Sequence, residues 1–386
     1  PTQTLDQALS GQFAGVNIRR NTGAPGGGVN VNLRGQSTLT GSTQPLYVVD
    51  GVIVNNDANQ SGVDVVTAAT GAGSSRPQGQ PTNRIGDINP NDVESIEVLK
   101  GASAAAMYGA KASNGVVIIT TKRGTGGKTK FSYSARTGQS SLLRKMGHRV
   151  FETFEEAYGQ YGTGAQHGMN GSVDEMKADV DAYNAALTAA EEAFLTDYPD
   201  SSFSPSGNLE SINLFNTSFF STYESAWAGN NFDYEEILYG QEGSLTEHTL
   251  SAVGGDEKTQ FYLGGQYMDE GGIIMNTGYK KMSGRLNVDH RLSEKTKLSI
   301  STNLVRSESD RGVTGNDNTN MTYGFSIGAT PSFVDINKSD GSFPENPFNP
   351  SNPLETAEYF VNNELTHRAL GSLRLDYDIY KTDMAN

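Results

Sequence analysis

The sequence predicts a small α+β domain followed by the antiparallel strands of a transmembrane β-barrel. Between Leu9 and Gly124, short β-branched strands are repeatedly broken by glycine, in a stretch with almost no catalytic chemistry. Beyond it, apolar and polar residues alternate with period two over long runs, as strands with one apolar and one wet face require. Very short turns and long links alternate strictly between those runs. That order puts every long loop on one side of the sheet, an asymmetry of outer-membrane barrels.

Composition agrees. The 386 residues include 45 glycines, 17 tyrosines and 16 phenylalanines, which suit turns and strands better than a helical bundle. Hydrophobic residues make up 35%, and no run approaches the ~18–20 apolar residues of a spanning helix. A barrel is compatible with this, because lipid-facing and lumen-facing residues dilute one another. The formal net charge of −15 argues against a nucleic-acid partner, which needs a basic face. The absence of cysteine excludes disulfides and thiolate metal sites. The sequence starts at Pro1 without a Met, basic region or apolar region, as either a mature secreted chain or a shortened one would.

Leu5, Leu9 and Phe13 predict a short amphipathic helix ending at Gly15. A turn-rich segment from Arg20 to Gly28 leads to alternating Val29, Val31 and Leu33, then Arg34-Gly35. Leu46–Val49 and Val52–Val54 form a hairpin across Asp50-Gly51. Asn55 to Arg84 reads as a long polar loop. Asn89-Pro90 opens a helical turn, with Pro at a permitted early position. Val93 to Leu99 is a strand, Ala102–Tyr108 an Ala-rich helix ended by Gly109, Val116–Thr121 an apolar strand, and Gly124–Gly127 a linker.

In the second region, Phe131, Tyr133 and Ala135 share one parity, as do Phe261, Leu263 and Tyr267. Met282, Leu286 and Val288 oppose Lys281, Ser283, Arg285, Asn287 and Asp289. Leu298, Ile300 and Leu304 oppose Ser299, Ser301 and Asn303, and Leu373, Leu375 and Tyr377 oppose Ser372, Arg374 and Asp376. Tight turns fall at Gly254–Glu257 and Ser293-Glu294. The longer links are 141–243, 269–278 and 309–364. The first long loop carries its own helix: Ser172 and Glu175 form a capping box, and Val173, Met176, Val180, Tyr183, Leu187, Ala190 and Phe194 share a face. That stripe either packs on the loop itself or meets a partner protein.

Motifs of other functions fail on inspection. Gly23 to Gly35 lacks the Gly-Lys-Ser/Thr ending of a phosphate loop. Asp57 to Ala68 begins like a calcium loop but ends without its Glu. His148, His167, His248, His290 and His367 show no metal-ligand spacing, and no nucleophile elbow or acid–base constellation appears. No catalytic or metal residue and no cofactor is assigned. Arg34, ending an apolar strand, needs a carboxylate or several carbonyls if buried. Asp50-Gly51 and Lys100-Gly101 read as turn chemistry, and Gly15, Gly35, Gly51, Gly101, Gly109 and Gly115 as positive-φ or close-packing positions.

Several motifs in order carry a resemblance: Asn32-Leu33-Arg34-Gly35, Pro45-Leu46-Tyr47-Val48-Val49-Asp50-Gly51, Ile96 to Gly101, Tyr108-Gly109 and Asn114-Gly115-Val116-Val117. The chain resembles the SusC/RagA type of TonB-dependent outer-membrane transporter, with residues 1–124 as plug domain and 125–386 as the N-terminal part of the barrel. Asn230–Tyr234, Val253–Tyr262 and Asp269–Ile274 look like early barrel segments of that family. Two departures are Tyr234, where the family commonly has Trp, and Gly101, where it has Asp after Lys100. The resemblance implies import of oligosaccharides or peptides, a SusD-like surface lipoprotein as lid, outer-membrane lipid around the barrel, and energy from TonB through a segment upstream of Pro1. It implies a barrel of about 22 strands, whose lumen a plug must fill. Six strand candidates are fewer than the smallest ordinary barrel of 8, so the chain reads as the N-terminal part of a longer protein.

Arg34, Gly35, Asp50, Gly51, Lys100, Gly101, Tyr108, Gly109, Asn114 and Gly115 are the structural or locking candidates of the plug. For Arg34 the choice lies between an ion pair within the plug and a plug–barrel pair. No substrate-binding residue is assigned; Tyr158, Tyr161, Tyr223, Trp227 and Phe348 either stack on sugars or staple the loops. The competing functions are a surface adhesion protein and a plug–barrel component of an envelope secretion or gliding machine.

Overall fold

The computed structural model describes residues 16–20, 23–33, 44–54, 56, 84–100, 102–161, 173–199, 225–227, 229–314 and 320–379. The chain divides into two compact units. One comprises Pro1–Leu143, Tyr239–Thr322 and Ala357–Asn386, the other Arg144–Leu238 and Tyr323–Thr356. The predicted helix over residues 5–15 and the polar loop over 57–83 lie outside the described residues.

The first unit opens with a two-stranded ribbon, β1 (Asn17–Arg20) against β2 (Val29–Asn32). A four-stranded sheet follows, built from β3 (Leu46–Val49), β4 (Val52–Val54), β5 (Val93–Leu99) and β6 (Val116–Thr121) in the order β4-β3-β6-β5. Only β3 and β6 run parallel. They are the central strands and are covered on both faces, which explains their near-continuous apolar sequences. On one face Tyr47, Val49, Val117 and Ile119 join Val31, Leu33, Ile85 and Ile88 in a buried core. On the other, Val48 and Val116 meet Ala104 and Ala112; Ala104 belongs to helix α1 (Ala102–Tyr108). Asp50 and Gly51 both adopt positive φ, 48° and 85°, as the tight turn joining β3 to β4 requires.

Beyond the plug, six strands follow one another in chain order as an antiparallel sheet: β7 (Gly127–Ser140), β8 (Gly243–Gly255), β9 (Thr259–Gly271), β10 (Gly278–Ser293), β11 (Thr296–Asp310) and β12 (Asn363–Tyr377). These are the strands the sequence predicts. Burial along them is inside-out. In β10, Lys281, Arg285 and Asn287 are buried, while Met282 and Leu286 are exposed. Leu263, Leu304, Leu373 and Leu375 are exposed on the same outer face, where Ile300 is half-buried. Polar residues within and bare leucines without are the arrangement of a wall whose outer solvent is lipid.

The second unit contains α2 (Phe154–Tyr161), α3 (Val173–Asp197), most of α4 (Tyr234–Tyr239) and α5 (Tyr323–Ala329). In α3 the side chains of Val173, Met176, Val180, Tyr183 and Leu187 lie outside the described set; Ala190 is exposed and Phe194 half-buried against Tyr198. The unit has a core around Phe333, Val334, Ile336, Leu238 and Phe151. Trp227 lies 5.5 Å from the Phe333 ring and Phe348 meets that ring edge-on at 6.1 Å, so both staple loop segments together. The side chains of Tyr158, Tyr161 and Tyr223 are not among those described. Asn231 brackets Phe151, accepting from its N–H at 2.9 Å and donating to its carbonyl at 2.8 Å. Glu235 accepts from the amides of Met146 and Gly147 at 2.8 and 2.9 Å.

Tyr234, at the family's Trp position, donates its phenol to the Val334 carbonyl and accepts from the Ile336 amide at 3.1 Å. Burial raises its pKa, holding the phenol protonated. Tyr234→Phe should strip the Ile336 amide of its partner and cost about 1–3 kcal/mol locally. Faster hydrogen exchange at Ile336, with the plug amides unchanged, would register this loss. On the wall, Leu286→Arg should lower the stability of the inserted full-length barrel by about 2–4 kcal/mol. A denaturant titration in lipid vesicles measures it, and Asn287, on the opposite face, should tolerate Asn287→Ser without that membrane penalty.

Candidate functional site

The plug meets the inner face of the wall chiefly through polar side chains. At the centre is Asp50, held by the β3–β4 turn. Its Oδ1 accepts from the Thr121 amide at 3.0 Å, and its Oδ2 accepts from the Thr121 hydroxyl at 2.6 Å. The wall supplies Arg285, whose Nη1 lies 3.4 Å from Asp50 Oδ2 and whose Nε lies 3.5 Å from Asp92 Oδ2. The Arg285 side chain is 1% exposed and each carboxylate 4%. Burial on this scale demands opposite charge, since a lone guanidinium is costly to desolvate.

Three further wall residues complete the contact. Asn287 donates to the Thr121 hydroxyl oxygen at 2.9 Å and to the Lys122 carbonyl at 2.7 Å. Ser301 donates to Asn287 Oδ1 at 2.7 Å, with Asp50 Oδ2 3.2 Å away. Tyr262 donates its phenol to Asp92 Oδ1 at 2.8 Å. Gly264 is needed beside it: a Cβ there would lie 2.7 Å from Asp92 Oδ1. Around this centre, Arg368 pairs with Asp87 at 2.9 Å, Arg123 with Asp289 at 3.5 Å, and buried Lys281 donates to the Gly86 carbonyl at 3.1 Å. Leu370 of β12 adds an apolar contact with the plug core.

Burial pushes the Asp92 carboxyl above its ordinary value, outweighing the bond from Tyr262 and the charges of Arg285, Lys122 and Lys281. A carboxylate raised on docking favours the docked plug most below the ordinary carboxylate range. Its contribution is lost as pH rises through the raised value.

The residues selected from sequence fall variously on this map. Asp50 is at the centre of the contact, and exposed Gly51 completes its turn. Lys100 is half-buried just after β5. Tyr108 is half-buried against the α1-side core, and Gly109 ends α1 at φ 71°. Asn114 donates to the Gln44 carbonyl at 3.4 Å. Gly115, at φ 95°, is wedged between Leu33 and the Leu99 carbonyl. Arg34, Gly35 and Gly101 lie outside the described residues. Arg285, Asn287, Ser301, Tyr262 and Asp92 were not singled out from the sequence. Their signal was parity: all four wall residues stand on the polar side of their strands.

A mixed four-stranded stopper, joined by polar contacts to the wet side of a sheet whose other side is apolar, defines a plugged membrane β-barrel. Residues 1–116 match the family model for the TonB-dependent Receptor Plug Domain. TonB-dependent receptor P26 of Formosa agariphila is 28% identical over 98% of this chain and 30% of its own length. TonB-dependent receptor SusC of Bacteroides thetaiotaomicron is 24% identical over 98% of this chain and 32% of its own. The chain therefore spans about a third of the length of these curated relatives. The structure of the RagAB peptide transporter aligns with a TM-score of 0.65 at 21% identity, covering 99% of this chain and 38% of that one, a likeness of fold. Residues 1–116 thus carry a TonB-dependent receptor plug domain, and the chain as a whole is similar to the SusC/RagA type of TonB-dependent receptor of the outer membrane.

Arg285→Met in the full-length receptor should leave Asp50 and Asp92 buried without their cation and loosen plug docking by about 3–5 kcal/mol. The urea midpoint for plug release reads this. Asp92→Asn should behave oppositely, matching or exceeding wild type at pH 7–8, with the gap closing as pH falls toward the ordinary carboxylate range.

Proposed function

We propose that the full protein imports a large nutrient, an oligosaccharide or a peptide, across the outer membrane. In this reading a SusD-like surface lipoprotein serves as lid and TonB supplies the work. The family kinship supports it, as does the name of the RagAB peptide transporter, which belongs to that protein and lends peptides weight as a cargo class. The observation that carries the proposal is the polar plug–wall contact. An apolar interface would hold the plug by the hydrophobic effect; ion pairs and hydrogen bonds can be exchanged for bonds to water as the plug moves.

The division we propose falls at Gly124, with the plug before it and the wall after it. Asp50 is the locking residue of the plug, assisted by the Gly51 turn. Lys100, Tyr108, Gly109, Asn114 and Gly115 maintain the plug's shape. Long ion pairs, 3.4 and 3.5 Å, suit a contact that must part under load.

Uptake by cells carrying the full-length receptor tests the reading, with labelled oligosaccharides and labelled peptides supplied in parallel. Accumulation of one class should disappear on loss of TonB while surface binding remains. Accumulation that continues undiminished without TonB would sink the proposal, and binding with no accumulation under any condition would favour adhesion.

A further inference from the structure

Strand alternation puts Lys281, Ser283, Arg285, Asn287, Asp289 and Arg291 of β10 on the inner face of the wall, one at every second residue. The acid in this row, Asp289, is engaged by Arg123 at 3.5 Å, Lys297 at 3.6 Å and the Ser299 hydroxyl at 2.5 Å. Acids elsewhere on the face are engaged as well. Arg136 holds Glu247, which also accepts from Gln266 at 2.5 Å, and Arg311 holds Glu364. Glu270, at the long-loop end, accepts from the Gly26 amide at 3.4 Å, and Asp376, at the tight-turn end, lies 2.8 Å from Arg374.

The middle of the row is different, because its partners belong to the plug. Arg285 faces the side-chain carboxylates of Asp50 and Asp92. Lys281 donates to the Gly86 carbonyl at 3.1 Å and Asn287 to the Lys122 carbonyl at 2.7 Å. What this wall binds in the plug is therefore polypeptide in two respects, its acidic side chains and its main-chain carbonyls. The spacing fits that chemistry. Successive inward residues of a strand stand about 7 Å apart, the interval at which an extended peptide repeats its side chains on one face.

We propose that the imported cargo is an acidic peptide, which takes over on the inner wall the carboxylate and carbonyl positions that the plug gives up as it moves. The assignment rests on the import reading above and narrows its cargo. Arg285 decides the charge. A neutral cargo pressed against it leaves a guanidinium desolvated without a counter-charge, a basic one adds repulsion, and an Asp or Glu side chain restores the pair. Lys281 and Asn287 decide between a peptide and an acidic sugar. Both are placed to donate to amide carbonyls, which a peptide offers at every residue and a uronic oligosaccharide lacks. Toward the tight turns, exposed Arg291, Lys297 and Arg374 outnumber Asp289 and Asp376, so the face stays cationic along the way out.

Uptake of four labelled cargoes of equal length by cells carrying the full-length receptor, with and without TonB, tests the assignment. They are a peptide with Glu at alternate positions, its Gln and Lys counterparts, and an oligogalacturonate. The Glu peptide should accumulate about ten-fold faster than the other three. Arg291→Glu, at an exposed position, should narrow the Glu-to-Gln ratio about three-fold while the heat-modifiable mobility of a folded barrel is kept. TonB-dependent accumulation of the Gln peptide or the uronate at the rate of the Glu peptide or above it overturns the assignment and leaves import standing. An unchanged ratio in the folded Arg291→Glu receptor overturns it too. Accumulation that persists without TonB overturns import, and the acidic-peptide assignment with it.

Discussion

A guanidinium sealed inside a membrane wall must be answered by carboxylates, and in this protein the stopper provides them. Arg285 is set in the middle of a spanning strand, where its neighbours on the same face, Lys281 and Asn287, are equally polar. Each of them reaches into the plug. Asp50 and Asp92 offset the charge of Arg285, Thr121 and the Lys122 carbonyl accept from Asn287, and the Gly86 carbonyl receives Lys281. Docking brings the polar groups of the wall against those of the plug. The constraint reaches back to the choice of turn: an Asp at positive φ closes the β3–β4 hairpin and also aims its carboxylate at β6 and the wall.

The same logic explains why the wall reads as hydrophilic in sequence. Its leucines face outward one at a time, separated by residues that face a polar partner, so no segment is apolar enough to draw attention as a span. Within this unit the hydrophobic core belongs to the plug, around Tyr47, Val49, Val117 and Ile119. Two solvents thus meet in one unit, lipid outside and a polar interior inside, with a dry core held within the stopper.

Much of this was legible. The Asp50-Gly51 turn between two apolar runs identified the hairpin, and alternation along β7 and β9 to β12 identified the faces of those wall strands. Partnership was the part that sequence could not supply. Nothing in Leu46–Val49 says that it will run parallel to Val116–Thr121, some seventy residues away, because that pairing is decided by the segments between. Arg285 was visible as a polar-face residue, yet its carboxylates lie 235 and 193 residues back in the chain. The ribbon strand Asn17–Arg20 carries only one apolar residue and is specified by its partner β2. In the loop unit, Asn231 and Tyr234 act through backbone groups far away in sequence, which composition does not encode.

The passage from plug to wall is short and tight. Strand β6 ends at Thr121 and β7 begins at Gly127, and midway a side chain on Gly124 would collide with the Phe261 amide 2.1 Å away. Five residues reach at most about 18 Å when fully drawn out. However far the rest of the stopper travels, its last strand stays leashed to the foot of the barrel. Under the import proposed above, a conduit opened by tension would widen from the opposite flank, with β6 as the hinge post rather than the moving door.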